Sequence, residues 1–107
     1  MDSNNYGVGK RILEARKNNR LTREKLAEMS GISVQFLSDI ENGRKSMTIT
    51  TLRNICYSLN LSADYIINGT EQSRTYGIVS LLDKLDDNDV KYAEKLLKVY
   101  VDALNNK

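Results

Sequence analysis

Among the places in this chain where an apolar residue stands directly before a Ser, Thr or Asp and a second apolar residue follows that polar one by four positions, four open a stretch of helical apolar spacing. The sets are Leu21-Thr22 with Leu26, Ile32-Ser33 with Leu37, Leu61-Ser62 with Ile66, and Leu85-Asp86 with Val90. A Ser, Thr or Asp in that place accepts a hydrogen bond from the unpaired N–H groups of a first helical turn, and the apolar pair staples the entry closed. Each set therefore marks a helix start. Between the starts, apolar residues recur at helical spacing, as in Val8, Ile12 and Ala15 or Leu52, Ile55, Cys56 and Leu59. Proline is absent and glycine numbers only 6, which favours helices joined by short turns. The chain is expected to be all-α.

The pattern predicts a helix over residues 6–18 that ends in the polar run Asn18 to Arg20, then one over 23–30 stopped by Gly31, and one over 34–42 stopped by Gly43. After the loop RKSM, Thr48 caps a fourth helix, and Ser62 caps a short fifth that ends at Asn68-Gly69. Five helices with short connections make residues 1–69 one compact domain. Residues 70–77 read as a linker. Beyond it the sequence predicts an apolar helix over 78–85 and a longer one over 87–104, capped by Asp86 and acidic in its first turn. The stripe of the last helix is Val90, Ala93, Leu97, Tyr100 or Val101, and Leu104. Two helices cannot bury such stripes alone, so residues 78–107 are expected to pack on the first domain, on a second copy as a homodimer, or on a partner protein.

Composition narrows the function. With 107 residues, one cysteine and no histidine, the chain has no internal disulfide, no imidazole metal ligand and no neutral-pH proton shuttle. Neither GxxxxGK[ST] nor GxSxG occurs, so binding rather than catalysis is expected, with no metal and no cofactor. No apolar run approaches the roughly 18 residues of a membrane span, and the opening MDSNNYGVGK lacks a signal-peptide core, which points to the cytoplasm and away from membranes. The net charge of +2 is small, but residues 1–70 carry ten Lys or Arg against seven Asp or Glu. Lys10, Arg11, Arg16, Lys17, Arg20, Arg23 and Lys25 form one basic stretch, and Arg44-Lys45 a second. Cys56, on an apolar stripe, reads as a small core residue.

The most informative segment is LTREKLAEMSGISVQFLSDIENG, from Leu21 to Gly43: two short helices joined by a tight turn at Gly31, the helix-turn-helix arrangement. Ala27 is small where the two helices approach, and Ile32, Leu37 and Ile40 lock the second in place. That leaves Ser33, Val34, Gln35, Ser38 and Asp39 on its outer face, mostly short enough to let a helix sit deep in a major groove.

Together with DIENGRKSMT and LRNICYSLNLSADYIING, this segment resembles the lambdoid phage repressor and Cro family of helix-turn-helix regulators, also called the xenobiotic-response-element family, over residues 8–69. The resemblance implies a five-helix domain whose third helix is the recognition helix, with Ser33, Val34, Gln35, Ser38 and Asp39 at base-facing positions. Gln35 suits the adenine edge and Val34 a thymine methyl. Asp39 departs from the Arg, Lys or Gln frequent there; it accepts from cytosine N4 or excludes wrong sequences. Thr22, Arg23, Asn42, Arg44, Lys45 and Thr48 match phosphate-contacting positions, and Arg16 with Glu41 match a buried structural ion pair. The implied function is a transcriptional regulator, a dimeric repressor on an inverted repeat of double-stranded DNA. Three other readings stay open: an antitoxin or immunity-type regulator whose C-terminal helices bind a protein, a protein-only adaptor, and an enzyme, which would need a catalytic cluster the sequence does not display.

Overall fold

The computed structural model describes residues 3–106, and the side chains of 5–106. Among the described residues there are seven helices and no strand: α1 (Ser3–Asn18), α2 (Arg23–Ser30), α3 (Val34–Glu41), α4 (Ile49–Leu59), α5 (Ala63–Asn68), α6 (Tyr76–Leu82) and α7 (Asp87–Asn105). Five starts are capped as their side chains dictate. Thr22, Ser33, Thr48, Ser62 and Asp86 accept from the backbone N–H three residues on, in Lys25, Phe36, Thr51, Tyr65 and Asp89. α2 stops at Gly31, whose φ of 71° is the left-handed conformation that glycine adopts without a Cβ clash.

α1 packs on α3 and α5, α2 on α3 and α4, and α4 on α5. Their inward faces pool Ile12, Leu26, Ala27, Leu37, Ile40, Ile55, Cys56, Leu59 and Ile66 in one core, with Val8, Leu21, Ile32, Phe36 and Leu52 packed against it. Each fully buried Leu or Ile contributes about 1.5–3 kcal/mol, which holds eight-residue helices too short to be stable alone. α1 crosses α3 at Gly9, where an added Cβ would overlap the carbonyl oxygens of Ile40 and Glu41. Two residues on, Arg11 donates from Nε to the Ile66 carbonyl (2.8 Å) and from Nη2 to that of Ile67 (2.9 Å), occupying acceptors at the end of α5.

Several boundaries differ from the sequence pattern, that of α7 only by its end at Asn105. α1 begins at Ser3 rather than residue 6, because its first turn precedes the apolar stripe and gives no periodic signal. α3 ends at Glu41, with Asn42 as its C-cap. α6 spans Tyr76–Leu82 rather than 78–85, since Lys84 leaves the helical path to donate from Nζ to the Tyr57 carbonyl (2.8 Å) and to Asn60 Oδ1 (2.7 Å). Its ammonium also lies 4.1 Å from the centre of the Tyr57 ring. Ser80 donates to Asn60 Oδ1 (3.2 Å) as well, so α6 is pinned to α4 over an apolar groove lined by Leu52, Cys56, Tyr57 and Tyr76. Gln72 accepts from the Ser62 N–H at 2.9 Å, tying the segment that follows α5 back to the start of that helix. Neither α6 nor α7 contains a buried residue. No helix among the described residues is long and apolar enough to cross a membrane.

Candidate nucleic-acid interface

α3 is held from behind. Leu37 and Ile40 are sunk in the core, and Glu41 turns inward beside them with its carboxylate fully shielded from solvent. A buried carboxylate needs partners. Arg16 supplies Nε to Oε2 at 2.7 Å and Nη2 to Oε1 at 3.3 Å, and its Nη1 donates to the Leu21 carbonyl at 3.0 Å. Arg23, at the start of α2, adds a third contact from its Nε to Oε1 at 3.0 Å. One carboxylate thus ties α1, α2 and α3 together, and Arg16 extends the tie to the α1–α2 turn, fixing how the outer face of α3 is presented.

That face carries the exposed residues Ser33, Val34 and Gln35, the half-buried Ser38 and the exposed Asn42. The Ser33 hydroxyl accepts from the Phe36 N–H and keeps its own proton to donate outward. Asn42 donates from Nδ2 to Ser38 Oγ at 3.4 Å, one turn apart. Thr22 and Thr48 stand exposed at the N-termini of α2 and α4. There unpaired N–H groups and the positive end of the helix dipole favour an anion. Thr22 Oγ1 accepts from the Lys25 N–H at 3.0 Å, and Thr48 Oγ1 donates to Thr51 Oγ1 at 3.1 Å.

Two of the residues expected at this surface stand differently. Arg23 does not stand free for phosphate: its Nε is spent on Glu41, and only its two terminal nitrogens remain for another acceptor. Asp39 is not an open group on the groove face but is 8% exposed and held on three sides. Oδ1 accepts from Gln35 Nε2 at 3.2 Å and lies 3.5 Å from Arg44 Nη1, while Oδ2 lies 3.4 Å from Lys45 Nζ. Burial alone would raise the Asp39 pKa; the contacts from Lys45, Gln35 and Arg44 outweigh it and hold the carboxyl below its ordinary value. Spacing could have pointed to the Gln35 contact, since residues four apart on a helix are neighbours. The second partner of Glu41 and the contact of Gly9 with α3 carry no local signal, because both join segments distant in sequence.

Cys56 faces the core, where burial pushes its thiol up to about 11 and keeps it neutral. Among the described residues no cluster of three His, Cys, Asp or Glu could hold a metal ion.

Comparison with known proteins agrees with this geometry. The family described as helix-turn-helix domain matches residues 9–72. An uncharacterised HTH-type transcriptional regulator, y4dJ, of Sinorhizobium fredii is 32% identical over 66 residues, covering 62% of this chain and 86% of that protein. The immunity repressor protein of Bacillus phage phi105 is 35% identical over 60 residues, covering 56% of this chain but only 42% of its own length. Among solved structures, the restriction-modification controller protein C.AhdI of Aeromonas hydrophila superposes with a TM-score of 0.59 at 20% identity, over 61% of this chain and 98% of that one. The clp gene regulator ClgR of Corynebacterium glutamicum gives 0.59 at 22% identity over 92% of this chain and 90% of that one, more than α1 to α5 alone supply. The capped α2–Gly31–α3 unit, the core behind it and a match spanning residues 9–72 lead to one conclusion: this chain belongs to the helix-turn-helix domain family.

Proposed function

We infer that this chain is a sequence-specific, double-stranded-DNA-binding transcriptional regulator, a cytoplasmic homodimeric repressor that reads the major groove with α3. The observation that carries the reading is the outer face of α3: short polar and small apolar side chains stand exposed on a helix whose other side is locked into a core, with cations on both flanks. Ser33, Val34, Gln35 and Ser38 are the base-facing set. Gln35 keeps one amide N–H and its Oε1 for the N7 and N6 edge of an adenine, and Val34, 40% exposed, suits a thymine methyl.

Phosphates on either side are taken by Thr22 and Arg23 at the start of α2, and by Asn42, Arg44, Lys45 and Thr48 beyond α3. One such head covers few base pairs, so specific affinity requires two heads about one helical turn, roughly 34 Å, apart. The stripe Val90, Ala93, Leu97, Tyr100 or Val101, and Leu104 runs in steps of three and four residues, the spacing of a seam between paired helices, and from Leu97 on it is left exposed by its own chain. We assign it to the dimer contact. Repression follows from occupancy of a promoter, a step supported by relatives named as a transcriptional regulator and an immunity repressor.

The test is selection of bound duplexes from a random library at about 150 mM salt, where binding to phosphate alone is weakened. An enriched inverted repeat with half-site centres about 10 base pairs apart is the expected result. Folded protein that enriches no sequence would overturn the reading and leave a protein-only adaptor.

A further inference from the structure

We propose that Asp39 is a positioning residue for DNA reading: one carboxylate fixes the amide of Gln35 and at the same time draws Arg44 and Lys45 away from phosphate, so that affinity for random DNA stays low relative to affinity for the operator. The proposal rests on the DNA-binding reading above and adds to it a residue that need not touch a base.

The geometry carries both halves. Gln35 Nε2 donates to Asp39 Oδ1 at 3.2 Å, which spends one N–H and leaves the other N–H and the carbonyl oxygen as a preset donor–acceptor pair. A Gln side chain free to rotate would offer that pair in many orientations, and on a wrong base it would settle into others. Tethered to Asp39, it offers one. On the opposite side of the same carboxylate stand Lys45 Nζ at 3.4 Å from Oδ2 and Arg44 Nη1 at 3.5 Å from Oδ1, with both side chains still about three-fifths exposed. The Asp39 backbone carbonyl accepts from the Arg44 N–H (2.8 Å) and the Lys45 N–H (3.3 Å), so the loop that carries the two cations is hinged on this residue. Phosphate oxygens must therefore compete with Asp39 for Arg44 and Lys45, and the carboxylate itself repels a backbone brought close without a matching base. Ordinary binding to any duplex loses more from this arrangement than binding to the operator, where Gln35 finds its edge.

Two substitutions separate the halves, measured on the full chain by titrating the selected operator and a random duplex of equal length across a salt series. Asp39→Asn keeps an acceptor for Gln35 and removes the charge; Asp39→Ala removes both. Both variants are expected to bind random duplex several-fold more tightly, with a salt slope steeper by about one unit, the contribution of one more phosphate contact. Only Asp39→Ala is expected to lose discrimination at the base read by Gln35, by about fivefold or more, with Asp39→Asn restoring it. Salt slopes and base preference both unchanged from wild type in the variants would overturn the proposal. If the Ala variant does not fold, the Asn variant decides it through its salt slope alone. A wild-type chain that binds neither duplex in a salt-dependent way would overturn the DNA-binding reading itself, and that is seen before any variant is compared.

Discussion

The two ends of this chain use the same local code and reach opposite results. α2, α3, α4, α5 and α7 all begin at a Ser, Thr or Asp cap that accepts from the N–H three residues on. Yet among the described residues every buried apolar side chain lies between Ile12 and Ile66, while α6 and α7 contain no buried residue and leave Val79, Leu81, Leu96, Val99 and Tyr100 about half or more exposed. Local capping and periodicity make helices in both regions; whether the apolar stripe finds a partner within the chain separates them. The first region is a finished domain and therefore a rigid holder for α3. The second is docked at its root, through Lys84 and Ser80 on Asn60, and leaves most of the apolar side chains of α7 exposed.

The contrast is broken hardest at Glu41. Removing this shielded carboxylate by Glu41→Ala leaves Arg16 buried without its counter-charge and is expected to cost about 3–5 kcal/mol, read as a lower urea midpoint. A loss below about 1 kcal/mol would mean that the ion cluster is not what joins α1, α2 and α3. Next comes Gly9→Ala, which forces α1 off the Ile40 and Glu41 carbonyls and should cost about 1–3 kcal/mol, against the gain expected for Gly→Ala at an open helical site.

The same logic in the second region predicts almost no loss of fold. Leu97→Asp should leave the unfolding free energy of dilute protein, measured in urea, within about 0.5 kcal/mol of wild type and abolish self-association in sedimentation equilibrium. A large drop in stability without a change in association would show α7 packed on its own domain. The smallest effect expected is one of pH. Burial lifts the Cys56 thiol to about 11 from the 9.0 of an open thiol, so the folded state prefers the protonated form. Its contribution is whole below about pH 9 and is lost as pH rises from there through about 11. Wild type should therefore lose more stability than Cys56→Ala between pH 8 and about pH 10, and parallel curves would contradict the burial of the thiol.

What the sequence reveals follows from range. The caps, the turn at Gly31 and the inward Leu37 and Ile40 were legible because each depends on residues within about one turn of each other. The outer face of α3 followed from the same periodicity, and Ser33, Val34 and Gln35 do stand exposed. Asp39 was assigned to that face by position, yet it is drawn under cover by Lys45 and Arg44 from the next loop, which a helical wheel does not contain. Arg23 reads as an open cation until the fold brings Glu41 beside it from 18 residues away. The docking of α6 was hidden for the same reason: Lys84 is a surface lysine in sequence, and only the tertiary fold sets Asn60 and the Tyr57 ring within its reach.

The central claim, a self-sufficient reading head joined to a helical element that pairs it with a second head, is tested most directly by one comparison of DNA binding. The full chain and a chain ending at Gln72, which keeps the Gln72 contact to Ser62, would each be titrated with a single half-site and with the inverted repeat. The account predicts that the short chain prefers the same bases in the half-site but binds the two halves of the repeat independently, whereas the full chain binds the repeat far more tightly than one half. A short chain that keeps the full advantage of the repeat, or reads different bases, would contradict it.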